Sequence, residues 1–338
     1  MESVNTISVL VSGPDEASEA RRSAMKLASS LQFDDTGAGR VALVVSECAS
    51  NLWKHGGGGE ILLRRLGEEN PPGIEVLALD KGPGMRNPAM CFRDGYSTAG
   101  SQGTGLGAIE RLSSECRVYT GEHQGTAMLA RIWKDGKPGD SLGWLEAGAV
   151  CVPKLGEEVC GDGWAVYEGR DYASVLVVDG LGHGPGAADC AYAALAAFRE
   201  TWRAQPAETL QALHAALRPT RGAAAAVARL EYTARTIRFA GCGNISGLIQ
   251  NGGASRQMVS LPGITGHDLK NVREFAYEWP HGATVLIYSD GLGTHWSLER
   301  YAGLLSQDPS LIAGVLYRDW SRGRDDTTVL AIRERAPR

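Results

Sequence analysis

The sequence predicts a protein of two α/β domains, and three observations support this prediction. The chain has 338 residues, whereas one domain usually needs about 100–200. Runs with the apolar period of strands alternate with runs of helical period in both halves of the chain. A polar segment rich in Gly and Pro, residues 134–141, lies between the halves and is typical of a domain junction. We therefore expect one domain at residues 1–136 and another at residues 141–338.

The first half carries the pattern of helices packed over one sheet. The helix predicted over residues 37–55 has an apolar stripe that would face this sheet, formed by Val41, Val44, Val45, Cys48 and Leu52. The other predicted helices are 16–31 and 106–114, and the predicted strands are 60–66, 74–80, 115–120 and 127–133.

The second half carries more strands and predicts two sheets flanked by helices. The predicted strands are 145–152, 163–168, 172–179, 223–231, 236–241, 246–250, 284–289 and 327–333. The predicted helices are 185–203, 206–217, 297–304 and 309–319.

Composition excludes several classes of protein. A hydrophobic content of 43% and a charged content of 22% describe an ordinary globular chain. The net charge of -5 gives no reason to expect nucleic acid or a membrane surface as a partner. No long uninterrupted apolar run and no signal peptide are visible. The 7 cysteines are odd in number and form no CxxC pair, which favours reduced thiols in the cytoplasm over disulfides or zinc.

Four short acidic motifs stand out in the second half, and the last three adjoin apolar, strand-like runs. They are Gly161-Asp162-Gly163, Asp179-Gly180-Leu181-Gly182-His183-Gly184, Ser289-Asp290-Gly291 and Asp325-Asp326-Thr327-Thr328. Any one of them alone is most simply a tight turn, because Asp-Gly is a common hairpin signal. Convergent strand ends would instead bring the carboxylates together, where they repel one another unless cations lie between them. Hard cations prefer oxygen ligands, so the set favours magnesium or manganese.

The order and spacing of residues 157–163, 179–184 and 325–328 resemble the SpoIIE and RsbX branch of the metal-dependent PPM-type serine/threonine phosphatases. The resemblance covers residues 145–335 and implies an αββα sandwich with two metal ions. A water molecule, not a side chain, would be the nucleophile. Asp325 fits the ligand position better than Asp326, and the role of His183 stays open between a supporting group and a loop residue.

The same resemblance implies a role for each metal-binding residue. Asp179 would bridge two ions of manganese or magnesium, and the carbonyl group of Gly180 would be a further ligand. Asp162 would hold one of these ions, while Asp290 and Asp325 would hold the other.

A second constellation lies in the first half. Glu47, Asn51 and His55 are spaced by four residues and share one face of the predicted helix, which on its own would be an ordinary solvated face. Two Gly-rich turns follow, at residues 80–84 and 103–107. The second opens a predicted helix, and backbone amides at a helix N-terminus bind anions such as phosphate.

Together these three motifs resemble the N, G1 and G2 boxes of the GHKL ATPases, specifically the anti-sigma-factor and RsbT-type serine kinases. The resemblance covers residues 5–133 and implies an α/β sandwich that binds ATP. Glu47 would be the general base, and Asn51 would hold magnesium on the triphosphate. His55 completes the N box, and Asp80 would accept a hydrogen bond from the adenine amino group. The remaining nucleotide-binding residues would be Gly82, Gly84, Gly103, Thr104, Gly105, Leu106 and Gly107.

Three functional hypotheses follow from the two resemblances. In the first, the N-terminal domain phosphorylates a serine or threonine on a STAS-domain partner of a partner-switching or stressosome pathway, and the C-terminal domain removes such a phosphate. In the second, only the phosphatase is an enzyme, and the N-terminal domain senses ATP or binds a sigma factor or adaptor. The third, a scaffold without activity, is disfavoured because a buried carboxylate cluster is costly without cations. The sequence leaves the oligomeric state open.

Overall fold

The computed structural model describes residues 2–3, 6–67, 71–91, 105–136 and 143–335. The contacts divide the chain into two compact units. The first unit is Thr6–Ser141, and the second is Leu142–Arg338 together with Met1–Asn5. The short strand β1 (Glu2–Ser3) therefore belongs to the second unit, where it pairs with residues 164–165.

The first unit is one antiparallel sheet covered by helices. Its strands are β2 (Ile7–Val11), β3 (Gly59–Leu66), β4 (Gly73–Asp80), β5 (Glu115–Thr120) and β6 (Thr126–Trp133). Its helices are α1 (Pro14–Ser30), α2 (Asp35–His55), α3 (Pro88–Cys91) and α4 (Gly105–Leu112). The sheet order is β2-β3-β4-β6-β5, so β4 is the central strand.

Helix α2 forms where the sequence predicts it, because both of its ends and its apolar face agree. The Asp34 side chain caps the N-terminus by accepting a hydrogen bond from the Gly37 amide at 2.7 Å. The predicted apolar stripe is buried against the sheet and α1. At the other end, Gly56 packs so tightly against the last residue of β4 that a Cβ there would lie 2.7 Å from the Asp80 Cβ. The C-terminal turn of α2 is thus fixed beside the end of the central strand.

The second unit has more strands and three α-helices. The strands in its first part are β7 (Leu145–Val152), β8 (Asp162–Glu168), β9 (Tyr172–Gly180), β10 (Ala223–Glu231), β11 (Thr236–Cys242) and β12 (Ser246–Asn251). The later ones are β13 (Ala254–Met258), β14 (Ser260–Leu261), β15 (Phe275–Glu278), β16 (Thr284–Tyr288) and β17 (Thr327–Glu334). The helices are α5 (Pro185–Thr201), α6 (Pro206–Leu217) and α7 (Pro309–Trp320).

These elements form four layers. One sheet has the order β1-β8-β9-β10-β11-β14 with β15 also paired to β11, and the other has the order β13-β12-β16-β17-β7. Side chains from both sheets, among them Trp164, Phe239 and Leu330, form a shared core. Helices α5 and α6 cover the outer face of the first sheet, and α7 covers β7 and β17 of the second. The αββα sandwich expected from the sequence is therefore present.

Some predicted elements differ from the structure. The helix predicted over residues 297–304 is wrong: two short 3₁₀ turns, Leu298–Arg300 and Leu304–Ser306, occupy this region. Gly303 between them has φ +74, a left-handed conformation that interrupts a helix. The sequence also failed to predict β2, β13 and β15. Strand β13 is almost wholly exposed and polar, so it carries little of the apolar alternation by which strands are recognised.

Candidate functional sites

The acidic motifs of the second unit meet at one end of the sandwich. Asp162 begins β8 and lies directly opposite Asp179 near the end of β9. Asp290 follows β16, and Asp325 precedes β17, which pairs with β16. The two sheets are joined at this point because the Ser289 hydroxyl donates to Asp162 Oδ2 at 2.6 Å. The structure thus brings all four sequence-predicted aspartates to the same end of the fold.

The carboxylates in this cluster repel one another when they are ionised. Burial is the main cause that raises the pKa of Asp179 to about 9, and the charges of Asp162, Asp290, Asp325 and Asp326 raise it further. Burial likewise raises the pKa of Asp162 to about 7, although the hydrogen bond from Ser289 opposes this shift. Such a site stabilises positive charge.

The two neighbouring aspartates 325 and 326 have different environments. Asp326 is buried, and its two oxygens accept hydrogen bonds from the backbone amides of Lys154 at 2.7 Å and Gly161 at 2.8 Å. It therefore fixes residues 154–161 to the second sheet. Asp325 is half-buried and makes no such clamp among the described residues. Asp326 thus has a structural role that Asp325 does not share, and the choice of Asp325 as a ligand stays a prediction.

The donor set fits hard divalent cations held largely by water. Asp162 Oδ1 is buried and has no hydrogen-bond partner among the described residues, so it is available to a cation. Within the same described part of the chain, no three acidic, His or Cys side chains already converge on one metal position. Magnesium commonly uses only one or two carboxylates and keeps several waters, so a pair of aspartates per ion is sufficient. Gly180 is buried at the centre, where a Cβ would overlap the Ala187 carbonyl oxygen.

Asn244, which the sequence did not assign, contacts this cluster, and His183, whose role the sequence left open, lies at its rim. The Asn244 Nδ2 group donates to Asp290 Oδ2 at 2.7 Å. His183 Nδ1 lies 2.5 Å from Glu157 Oε1, so this exposed histidine is held by an acid at the rim. The Asn244 contact had no signal in the sequence, because it depends on the pairing of β12 with β16, strands that are distant along the chain.

In the first unit, the N-box residues of α2 lie beside the start of α4. A Cβ on Gly105 would be 2.8 Å from Glu47 Oε2 and 3.8 Å from Asn51 Oδ1. Asn51 Nδ2 is buried without a hydrogen-bond partner among the described residues. The structure therefore brings a carboxylate, an unsatisfied amide and a helix N-terminus together, which suits a phosphate with its cation. His55 is exposed at the end of α2.

The structure describes most of the remaining predicted nucleotide-binding residues. Asp80 is at the end of β4, and its Oδ1 accepts hydrogen bonds from the amides of Gly82 at 2.8 Å and Thr126 at 3.1 Å. Gly84 has φ +69, and a Cβ there would overlap the Gly121 carbonyl oxygen. Two positions of α4, Leu106 and Gly107, are half-buried and buried respectively. The predicted residues Gly103 and Thr104 lie outside the described residues.

Comparison with known proteins assigns both units. The family model of the histidine kinase-like ATPase domain matches residues 10–132. The model of stage II sporulation protein E (SpoIIE) matches residues 169–335. The serine/threonine-protein kinase RsbT of Bacillus subtilis (strain 168) is 30% identical over 114 residues, which are 34% of this chain and 86% of that protein. The chain belongs to the RsbT kinase family. It carries a SpoIIE-type phosphatase domain in the same polypeptide.

Solved structures support the SpoIIE-type fold of the phosphatase domain. A chain from work on the bacterial stressosome, described as a modular system adapted to control secondary messenger signaling, is 27% identical with a TM-score of 0.53. It covers 56% of this chain and 99% of its own length. RsbX in complex with magnesium is 17% identical with a TM-score of 0.52, covering 59% of this chain and 99% of its own. The RsbU and RsbW domains of a Mycobacterium tuberculosis protein are 22% identical with a TM-score of 0.50, covering 58% and 61% respectively.

The chain is therefore a SpoIIE-type phosphatase that also carries an RsbT-type, kinase-like ATPase domain. ATP and divalent metal ions are the general cofactors of these two classes of domain. Across the part of the chain that the structure describes, no helix is both long and apolar enough to cross a membrane.

Proposed function

We propose that this protein is a bifunctional partner-switching regulator. One domain adds a phosphate to a partner protein, and the other domain removes it. The RsbT-type domain phosphorylates a serine or threonine on a STAS-domain partner, and the SpoIIE-type domain hydrolyses the phosphoester on that partner or a related one. The observation that supports the proposal is that each unit brings several of its predicted site residues together, Glu47 and Asn51 beside Gly105 in one and the aspartates at one end of the sandwich in the other.

In the RsbT-type domain, Glu47 is proposed as the general base that accepts the proton of the partner's hydroxyl group. Its carboxylate lies beside Gly105, where the first turn of α4 would meet the terminal phosphate. Asn51 would hold magnesium on the triphosphate, and Asp80 would accept from the adenine amino group. Phosphoryl transfer depends mainly on positioning and charge stabilisation, so a single well-placed base is sufficient.

In the SpoIIE-type domain, Asp179 is proposed as the bridging ligand, with the Gly180 carbonyl group beside it. Asp162 would hold one ion, and Asp290 and Asp325 the other. Two bound magnesium or manganese ions would supply an activated water and would offset charge on the phosphoryl group. The protein's own part is to fix the carboxylates: Ser289 orients Asp162, and Asn244 orients Asp290.

The partner assignment rests on the relatives. RsbT is named a serine/threonine-protein kinase, and another similar chain comes from work on the stressosome. We infer from these likenesses that the partner carries a STAS domain, of the stressosome or anti-anti-sigma type.

The role of Glu47 is tested by comparing Glu47→Ala with Glu110→Ala, an exposed glutamate of α4. We expect Glu47→Ala to retain ATP binding, measured by calorimetry, and to lose phosphorylation of the STAS partner, measured by intact-mass spectrometry. Glu110→Ala should retain both. If the wild-type protein phosphorylates no STAS partner while it still dephosphorylates one, the RsbT-type domain is a nucleotide sensor or docking module, and the kinase half of the proposal is wrong.

A further inference from the structure

Three basic residues are attached by their backbone to the acidic cluster of the SpoIIE-type domain. The Lys154 amide donates to Asp326 Oδ1 at 2.7 Å. The Arg322 amide donates to the carbonyl oxygen of Gly291, next to Asp290, at 2.9 Å. Arg324 directly precedes Asp325, and both arginines are exposed. The backbone of each of these basic residues therefore lies next to the acidic cluster.

A fourth basic residue, Arg221, reaches the same end of the sandwich from the turn before β10. The register of β9 and β10 places Ala223, two residues later, opposite Gly180. The guanidinium group lies on the loop that follows Asp179: a Cβ on Gly186 would be 2.7 Å from its Cζ, and a Cβ on Gly182 would be 3.3 Å from its Nη1. Glycines at these two positions leave space for an exposed, planar cation.

The four side chains Lys154, Arg221, Arg322 and Arg324 form no ion pair or hydrogen bond with any described residue of the chain. Other arginines of this unit do pair, since Arg238 contacts Glu231 and Glu274. The protein as a whole is acidic, with a net charge of -5, so acidic partners are plentiful. A group of unpaired cations in an acidic protein indicates a surface suited to an anionic ligand.

The same rim exposes two leucines. Leu155 is 76% exposed and follows Lys154, and Leu181 is 38% exposed and lies between Gly180 and Gly182. A phosphate ion has no apolar surface to pack against these leucines, whereas the side chains of a protein segment do. The loop that carries Lys154 and Leu155 also carries Glu157, which lies within hydrogen-bond distance of His183, and the exposed Glu158.

We propose that these six residues, here called the basic rim, bind an acidic protein segment around the phosphorylated serine or threonine of the substrate. The rim would contribute charge complementarity and two apolar contacts outside the reacting phosphate. This inference rests on the proposed phosphatase function and defines the chemistry of its substrate. The preferred phosphoprotein has aspartate or glutamate, together with apolar side chains, close to the phosphorylated residue.

The test compares three substrates in the presence of manganese: p-nitrophenyl phosphate, a phosphoserine peptide flanked by Asp, Glu and Leu, and a matched peptide with Asn and Gln in place of the acids. The variant is Arg322→Glu/Arg324→Glu. The control is Arg170→Glu/Arg256→Glu, which changes the net charge equally at two exposed arginines. Arg170 lies in the turn between β8 and β9, at the opposite end of these strands from Asp162 and Asp179.

We expect the wild-type protein to have a kcat/KM about tenfold higher for the acidic peptide than for the neutral one at low salt. Salt should reduce this preference, because exposed charges are screened. The double variant at 322 and 324 should lose the preference and hydrolyse p-nitrophenyl phosphate within about twofold of the wild-type rate, since exposed charges contribute little to a small substrate.

The proposal is overturned if the variant keeps the preference for the acidic peptide, or if the control loses it equally. It is also overturned if p-nitrophenyl phosphate hydrolysis falls by the same factor as peptide hydrolysis, because the arginines would then act on the metal centre. A wild-type protein that hydrolyses no phosphoester with manganese would be a different failure, since it would refute the phosphatase assignment itself.

Discussion

Replacement of Asp179 by Asn should stabilise the metal-free protein while abolishing its metal-dependent phosphatase activity. Asp179 is the carboxylate whose charge the surrounding aspartates and burial disfavour most, and its pKa is raised from 3.8 to about 9. Asn has nearly the same shape but carries no charge. The substitution therefore removes the electrostatic cost of the site together with its function, a trade-off expected where function requires strained groups.

The size of the stabilisation expected from Asp179→Asn follows from the shift in the pKa of Asp179. A carboxyl group whose pKa is higher in the folded than in the unfolded state destabilises the fold progressively as the pH rises from about 4 to about 9, because the unfolded state ionises first. Each unit of pKa corresponds to about 1.4 kcal/mol, so the cost at pH 7 has an upper bound of about 4 kcal/mol. Asp179 is half-buried, so solvent screens part of this cost, and we expect about 2 kcal/mol, or roughly 4–8 °C for a unit of this size.

Differential scanning calorimetry with a chelator measures this gain, and Asp189→Asn, an exposed aspartate of α5, is the control. The Tm difference between Asp179→Asn and wild type should grow from pH 5 to pH 8, while the control stays unchanged. Manganese should raise the Tm of the wild-type protein, since a ligand that binds only the folded state stabilises it, and should not raise that of Asp179→Asn. A metal-free Asp179→Asn protein that melts below the wild type would show that the charge of Asp179 does not destabilise the metal-free fold.

Three further predictions concern single residues. Gly84→Ala should weaken ATP binding at least tenfold in calorimetry, because its Cβ would overlap the Gly121 carbonyl oxygen. Gly136→Ala, also at positive φ but with open space around it, should leave ATP binding unchanged. Asn244→Ala should weaken manganese binding by about 10–100-fold, because Asp290 loses the group that orients it; unaltered affinity would exclude this role. Asp326→Ala should lower the free energy of unfolding by about 2–4 kcal/mol, since two buried backbone amides lose their acceptor, and urea denaturation would show no loss if the clamp were unimportant.

The sequence predicted the parts of the fold that have strong local signals. Strands β9 and β16 are continuous apolar runs that end in acidic turns, so both the strands and the position of their carboxylates could be recognised. Helix α2 was equally clear, because its apolar stripe and its polar face agree. Such agreement between local signals is what makes an element predictable.

Other features depend on packing that the sequence does not display. The hydrogen bond from Asn244 to Asp290 joins residues 46 positions apart and forms because β12 pairs with β16, with Ser246 opposite Tyr288. The clamp by Asp326 joins its carboxylate to an amide 172 positions away. The helix predicted over residues 297–304 was wrong for a local reason, the left-handed Gly303. The roles of the ligand and nucleotide-binding residues stay predictions.

In the proposed function, one chain both adds and removes a phosphate on a partner protein. Intact-mass spectrometry of a purified STAS partner tests it most directly, in one reaction with magnesium-ATP and the unphosphorylated partner, and in another with manganese and the phosphorylated partner. We expect the gain of one phosphate in the first reaction, lost in Glu47→Ala, and the loss of one in the second, blocked in Asp179→Asn. An unchanged mass of the partner in either reaction would contradict the bifunctional proposal.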